Sequence, residues 1–150
     1  SRGFFVTKVG TVSNVALLQQ LLIQLPSANQ LNRQLEKIAF ERGLTDQERK
    51  TLQDQATSFI NKSEVRDWYQ PHQPLLIQRP LLTKPNRTVV LDRALVASSN
   101  ITVINFYTHH DESEKTKSLT MAKGYLVAHY ESVEMFLVNV SCLNIKKLSL

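Results

Sequence analysis

The first half of the chain carries apolar residues at every third or fourth position, and this spacing predicts amphipathic helices. Helices are predicted over residues 10–25, 27–43 and 45–60, with a short helix over 63–69. The first has so wide an apolar surface that we expect protein to surround it, and Pro26 ends it. The short helix is predicted to place Trp68 against the core. The pattern therefore predicts a helical part over about residues 10–70.

Two of these predicted helices begin with a capping-box pattern, in which side chains at both ends of the first turn satisfy free backbone N–H groups. Ser27 with Gln30 fits the pattern for the second helix, and Thr45 with Glu48 fits it for the third. Gly43 is predicted to end the second helix, because glycine readily takes the left-handed conformation at that position.

Beyond residue 74 the pattern changes to short runs of apolar, β-branched and aromatic residues, which are typical of strands. Strands are predicted over 75–83, 89–97, 101–108, 135–140 and 145–150, and a last helix is predicted over 114–131. Pro80 lacks an N–H donor and puts the first strand at an edge or a bulge. The order predicts one α/β domain over residues 1–150, with a central mixed sheet over about 74–150 flanked by helices.

Two polar residues interrupt the apolar strands of this predicted sheet. Asp92 lies within an otherwise apolar run, and Asn105 follows in the next strand, across a hairpin turn at 98–100. Pairing of the two strands would bring both side chains to one cleft. This cleft is the candidate functional site that the sequence predicts.

These residues, in their order and spacing, resemble the PD-(D/E)xK nuclease domain of RecB type that is found at the C-terminus of UvrD/RecB-family DNA helicases. Asp92 and Arg93 match the family's Asp-Arg on one strand, and residues 64–69 match its Glu-Val-x-Asp-Trp-aromatic segment. The similarity extends from Gly10 to about Val140. It implies a restriction-endonuclease-like fold and an origin in a helicase or exonuclease of DNA repair or recombination.

The resemblance also marks where the chain departs from the family's catalytic pattern. The degenerate catalytic positions are Asp92, Asn105, Tyr107, Asn14, Val15, Met121 and Tyr125. Only Asp92 and Tyr125 keep the family's residue. The family's second acid is Asn105 here, its lysine is Tyr107, and its His-Glu pair and its glutamine are also replaced.

Metal-dependent hydrolysis of a phosphodiester needs several anionic oxygens to hold Mg²⁺, and it benefits from a nearby cation. Here only Asp92 is anionic, while Asn105 is neutral and Tyr107 carries no charge near neutral pH. The resemblance therefore implies a catalytically inactive nuclease-like module, with no cofactor and no metal site expected. Mg²⁺ would be needed only if catalytic residues have migrated, with a cation such as Lys123 in the place of the lysine.

The chain has a net charge of +5, which permits binding to a polyanion. The basic positions that flank the cleft strands and the last helix are candidate nucleic-acid-binding residues: Lys84, Arg87, Lys115, Lys117 and Lys123. Weak, non-specific DNA binding is expected from them. The same charges also fit an ordinary solvated surface, and composition leaves that alternative open.

The cysteine content and the lengths of the apolar runs limit the possible disulfides, membrane spans and cellular location. The single cysteine, Cys142, excludes an internal disulfide, and its position in an apolar run predicts that it is buried. No apolar run approaches the ~20 residues of a membrane span. We therefore expect no membrane partner and a cytoplasmic location.

The function expected from residues and resemblance is a DNA-binding or scaffolding domain in an ATP-dependent DNA helicase or exonuclease. Its partners would be DNA and the rest of that chain or of a repair complex. Two alternatives stay open: an active metal-dependent DNA nuclease with migrated catalytic residues, and a protein-interaction domain that keeps the fold.

Overall fold

A mixed β-sheet forms the centre of the fold in the computed structural model, which describes residues 14–84 and 86–149 except for the side chains of Lys84 and His109. Within those residues the sheet has five strands: β1 (Leu75–Lys84), β2 (Arg87–Ala97), β3 (Asn100–Tyr107), β4 (Ser132–Asn139) and β5 (Asn144–Lys147). They lie side by side in chain order. Only β3 and β4 are parallel, because a helix connects them, whereas every other pair of neighbours is antiparallel.

Helices cover both faces of the sheet. The helices α1 (Asn14–Gln24), α2 (Leu31–Arg42) and α3 (Asp46–Ile60) pack on one face, and α4 (Glu112–His129) packs on the other. The predicted α/β class, with a central mixed sheet flanked by helices, is therefore confirmed. No helix within the described residues is long and apolar enough to cross a membrane.

Strand β3 distributes its side chains between two apolar clusters. Ile104 and Phe106 belong to the cluster shared with α1, α2 and α3, while Val103 and Tyr107 belong to the cluster shared with α4. Because side chains alternate along a strand, Asn105 lies on the α4 face with Val103 and Tyr107. The functional candidates of β3 therefore point away from the helical half of the domain.

The helix boundaries agree with the sequence in part. The predicted start of the first helix, at residues 10–13, lies outside the described residues. Gly43 has a φ of 64° and ends α2 in the left-handed conformation, as predicted. The capping box of α3 is also confirmed, with Glu48 N–H donating to Thr45 Oγ1 at 3.1 Å and Thr45 N–H donating to Glu48 Oε1 at 2.8 Å.

The capping box predicted at Ser27 is wrong. A short 3₁₀ helix (Ala28–Gln30) precedes α2, and the Ser27 side chain caps neither element. Its hydroxyl instead donates to the side-chain carbonyl of Asn29, two residues on. This local bond competes with helix capping, as short polar side chains commonly do.

Two further residues test the predicted core. Trp68, in a 3₁₀ helix (Arg66–Tyr69), is only 4% exposed and packs against Phe136 with ring centroids 5.0 Å apart, in agreement with core packing. Cys142 was predicted to be buried, and this prediction is wrong because the cysteine is exposed. The buried run ends at Val140, and Cys142 lies in the turn between β4 and β5.

Candidate functional site

The candidate site lies where β2 and β3 separate. Their backbone pairing begins at the pair Ala97 and Asn100, next to the turn, and ends at the pair Arg93 and Ile104. The next residues along are Asp92 on β2 and Asn105 on β3. On the other side of β2, Gln78 lies between the pairs that flank Asp92 and has a φ of 49°. The backbone is thus irregular on both sides of Asp92.

Side chains replace the backbone ladder at this separation. Asp92 N–H donates to Asn105 Oδ1 at 2.8 Å, and Phe106 N–H donates to Asp92 Oδ2 at 2.9 Å. Asn105 Nδ2 in turn donates to the Val90 carbonyl at 3.0 Å. We call these three bonds the strand clamp. They satisfy backbone groups that the parting strands would otherwise leave buried without partners.

The strand clamp explains why two polar residues are tolerated in the interior. Asp92 is 5% exposed and Asn105 is 1% exposed, and buried polar groups of this kind are normally hydrogen-bonded. Asn105 uses both its amide oxygen and its amide nitrogen, and Asp92 uses one carboxylate oxygen. The two residues lie together as predicted, but both are buried and neither lines a described groove, and their described bonds hold backbone.

The electrostatics of Asp92 follow from its position. Burial raises the pKa of its carboxyl, while the Phe106 N–H and the Lys115 ammonium oppose this by favouring the charged form. Burial is the largest of these causes. The folded state therefore holds the Asp92 proton more tightly than the unfolded state does.

We expect Asp92→Asn to change the free energy of unfolding by less than about 1 kcal/mol at neutral pH, since an amide oxygen can still accept from Phe106 N–H. Because the folded-state pKa is raised, the wild type should gain stability relative to the variant as pH falls through that pKa. The gain should be complete below the unfolded-state value near ~4. Urea unfolding of both proteins across this range measures the difference, and a relative loss of wild-type stability in acid would contradict it.

The donor set of this site does not fit a Mg²⁺ ion. Such an ion requires several oxygen ligands, usually including carboxylates. Asp92 is the one carboxylate of the strand clamp, and the Asn105 oxygen already accepts from backbone. Within the described part of the chain, no group of three His, Cys, Asp or Glu residues is arranged to hold a metal. The strand clamp therefore offers too few free oxygen ligands for a metal-dependent step.

Tyr107, which the resemblance aligns with a lysine, supplies no charge. It is 5% exposed, and burial together with the neighbouring Glu112 carboxylate raises the pKa of its hydroxyl. The side chain of Asn139 hydrogen-bonds to Tyr107 and acts in the opposite direction. Tyr107 thus remains a neutral side chain between β3, β4 and the start of α4.

The other positions that the resemblance marks are dispersed. Asn14 is exposed at the start of α1, and Val15 packs against the apolar cluster of the helical half. On α4, Met121 is partly buried with its sulfur 3.9 Å from Arg87 Nη1, and Tyr125 is 39% exposed. Only Asp92 and Asn105 are in direct contact with each other through the described hydrogen bonds.

A groove of about 990 Å³ lies between the start of β2 and the N-terminal half of α4. Three cations are among the described side chains that line it, namely Arg87, Lys115 and Lys117, together with hydroxyls of Thr88, Ser113, Thr116, Ser118 and Thr120. Glu114 contributes one acid, and His110 and Met121 also line it. We call this surface the α4 groove. It gathers three of the five predicted basic residues.

Neither of the two remaining basic candidates is among the described side chains that line this groove. Lys123 is partly buried further along α4 and is not part of the groove lining. Lys84 ends β1, and its side chain lies outside the described residues. Lys115 links the α4 groove to the strand clamp, because its charge acts on Asp92.

Arg93 has a structural role that sequence reasoning missed. Its guanidinium is fully buried on the helical side of the sheet and donates to the carbonyls of Ile23 and Trp68, each at 3.0 Å. It also donates to the carbonyl of Leu25 and lies 4.0 Å above the ring of Tyr69. Burial lowers the pKa of this guanidinium.

The partners of Arg93 explain its position. A cation is favoured at the C-terminus of α1, where the helix dipole is negative and carbonyls lack helical donors. Arg93 thus ties β2 to α1 directly beside Asp92. An arginine inside an apolar strand was the available signal, since such a residue is almost never buried without partners.

The fold and the site define a mixed α/β domain with a clamped strand junction beside a basic groove. No protein-family model matches the chain, and no curated protein matches it. The likeness to RecB-type nucleases rests on the sequence motifs and stays a prediction.

Proposed function

We propose that this chain is a nuclease-like module without catalytic activity, which binds nucleic acid through its phosphate backbone. We place it in a restriction-endonuclease-like fold and in an ATP-dependent DNA helicase or exonuclease of repair or recombination. The strand order supports the fold proposal, because three antiparallel strands lead through α4 to a parallel fourth strand. The observation that carries the proposed function is the α4 groove beside a strand clamp whose polar groups hold backbone.

The α4 groove has the chemistry of a phosphate-binding surface. Lysine and arginine supply the electrostatic part of nucleic-acid binding, and hydroxyl side chains add hydrogen bonds to phosphate oxygens. Thr116 and Thr120 donate their hydroxyl protons to helix carbonyls, so the hydroxyl donors of this groove are Thr88, Ser113 and Ser118. The described lining residues carry three positive charges, on Arg87, Lys115 and Lys117, and one negative charge, on Glu114. Asp92 is buried, and the charge of Lys115 favours its ionised form.

The same residues argue against hydrolysis. Cleavage of a phosphodiester requires stabilisation of developing charge and an activated water molecule. Asn105 is neutral and has both its amide oxygen and its amide nitrogen bonded to backbone, while the phenol of Tyr107 is uncharged near neutral pH. Binding without cleavage is therefore the function that these side chains support best.

Nucleic-acid binding by the α4 groove should depend steeply on salt. Each phosphate contact contributes about −0.7 to −0.9 to the log–log slope, so three cations give about −2.1 to −2.7. Affinity should fall about twenty- to fortyfold between roughly 50 and roughly 200 mM salt. Fluorescence anisotropy with a labelled oligonucleotide measures this slope.

Two matched triple variants each remove three positive charges, one set inside the α4 groove and one set outside it. Replacement of Arg87, Lys115 and Lys117 by alanine should remove most of the binding and flatten the salt slope. Replacement of Arg33, Lys37 and Lys50, exposed on α2 and α3, removes equal charge outside the α4 groove and should change little. Equal effects of both sets would contradict a site in this groove.

Two results would overturn the proposal more broadly. Absence of binding even at low salt would favour the protein-interaction alternative. Reproducible cleavage of DNA in Mg²⁺ or Mn²⁺ that disappears in Asp92→Ala would establish the active-nuclease alternative. The same purified protein serves both assays, with unfolding curves confirming that each variant is folded.

A further inference from the structure

An exposed aromatic pair lies on α4 next to the α4 groove. The rings of Tyr125 and His129 stack with centroids 4.2 Å apart and planes inclined by 19°. Tyr125 is 39% exposed, and neither ring belongs to the two apolar clusters of the core. The pair is therefore a surface feature that core packing does not explain.

The position of the pair along α4 joins it to the groove. Lys117, Met121, Tyr125 and His129 are spaced by four residues, so they follow one side of the helix. Lys117 and Met121 line the α4 groove, and Tyr125 comes one turn after Met121. Helical side chains lean toward the N-terminus, which directs Tyr125 toward the groove and places His129 behind it.

A hydrogen bond holds the second ring in place. His129 Nδ1 lies 2.9 Å from the Tyr125 carbonyl oxygen. A carbonyl only accepts, so this nitrogen carries the proton and donates. The histidine ring is thereby fixed behind the tyrosine, and Tyr125 gains a firm backing while part of its surface stays open to solvent.

We infer that the Tyr125–His129 pair is a stacking platform for an unpaired nucleobase, so that the ligand of the α4 groove is single-stranded nucleic acid. This inference rests on the proposed function and specifies its ligand. Cations that track the backbone, next to an aromatic ring that stacks a base, are the combination used by proteins that bind single strands. In a duplex the bases are stacked and paired within the helix, and they do not offer a free face to this ring.

The test compares three labelled probes by fluorescence anisotropy at low salt. These are an oligothymidylate strand, an abasic strand of the same length and charge, and a duplex. The wild type should bind oligothymidylate more tightly than the abasic strand. Tyr125→Ala should weaken oligothymidylate binding about fivefold or more, the lower end of the stacking range, and leave the other two probes unchanged.

Two matched variants separate stacking from other effects. Tyr125→Phe keeps the ring and should retain binding. Val127→Ala shortens a side chain that is 50% exposed on the same helix and should have no effect. An equal loss of affinity for the abasic strand in Tyr125→Ala would overturn the stacking role, as would no loss for any probe.

The outcomes also distinguish this inference from the proposed function. If oligothymidylate and abasic strands bind equally and with the expected salt slope, the stacking platform is refuted while backbone binding by the α4 groove stands. If none of the three probes binds, both are refuted. Preference for the duplex over either single strand refutes the assignment of a single-stranded ligand alone.

Discussion

Replacement of Arg93 by methionine is expected to lower the free energy of unfolding by about 4 kcal/mol or more. Methionine fills much of the same volume but donates no hydrogen bonds to the carbonyls of Ile23, Leu25 and Trp68. Each buried acceptor left without a donor costs about 1–3 kcal/mol. The loss is large beside a typical total stability of about 5–15 kcal/mol.

Urea unfolding followed by circular dichroism measures this effect. Arg93→Lys should give an intermediate loss, because one ammonium group reaches fewer carbonyls than a planar guanidinium does. If Arg93→Met does not fold, Arg93→Lys still gives a measurable change in the free energy of unfolding. Arg79→Met, at an exposed position on β1, is the matched control and should stay within about 0.5 kcal/mol of the wild type. An unfolding midpoint equal to that of the wild type in Arg93→Met would contradict the structural role.

The second large effect is expected from Asn105→Asp, which restores the acid of the resembling family. It should cost about 3 kcal/mol at neutral pH, because the Val90 carbonyl loses its donor and a second carboxylate is buried beside Asp92. Burial and this neighbour should raise the pKa of the new carboxyl in the folded state. The lost stability should therefore return as pH falls through that pKa toward the unfolded-state value of about 4.

Unfolding of Asn105→Asp is measured across this pH range, with and without Mg²⁺. Asn100→Asp makes the same chemical change at the exposed start of β3 and should have little effect. Recovery of the lost stability by Mg²⁺ would mean that two carboxylates suffice to build a metal site here. That result would agree with the wild-type site lacking this carboxylate, whereas unchanged stability of Asn105→Asp at neutral pH would contradict the strand clamp.

Local chemistry accounts for the elements that the sequence predicted well. The capping box of Thr45 and Glu48 and the left-handed Gly43 depend on residues within one helical turn. The strands follow from β-branched and aromatic runs, and alternation along β3 placed apolar side chains on both covered faces. The co-location of Asp92 and Asn105 was also predictable, because one short turn joins their strands.

The use of those side chains was not predictable, since it depends on where strand pairing stops. Simple alternation along β2 would put Leu91 and Arg93 on the same face. Leu91 and Ala94 instead share the α4-side cluster, while Arg93 reaches the end of α1 on the opposite side. The backbone irregularity at Asp92 breaks the period of two, and such irregularities re-aim side chains.

The sequence by itself determined the α/β class, most helices and strands, and the differences from the charged pattern of the family that the chain resembles, because these depend on residue type and local spacing. Only the tertiary structure decided that Asp92 and Asn105 clamp two parting strands, that Arg93 caps α1, and that Arg87 meets Lys115 and Lys117 in one groove. Each of these requires contacts between elements far apart in the chain. Their geometry is set by the twist and register of the sheet, which no local pattern specifies.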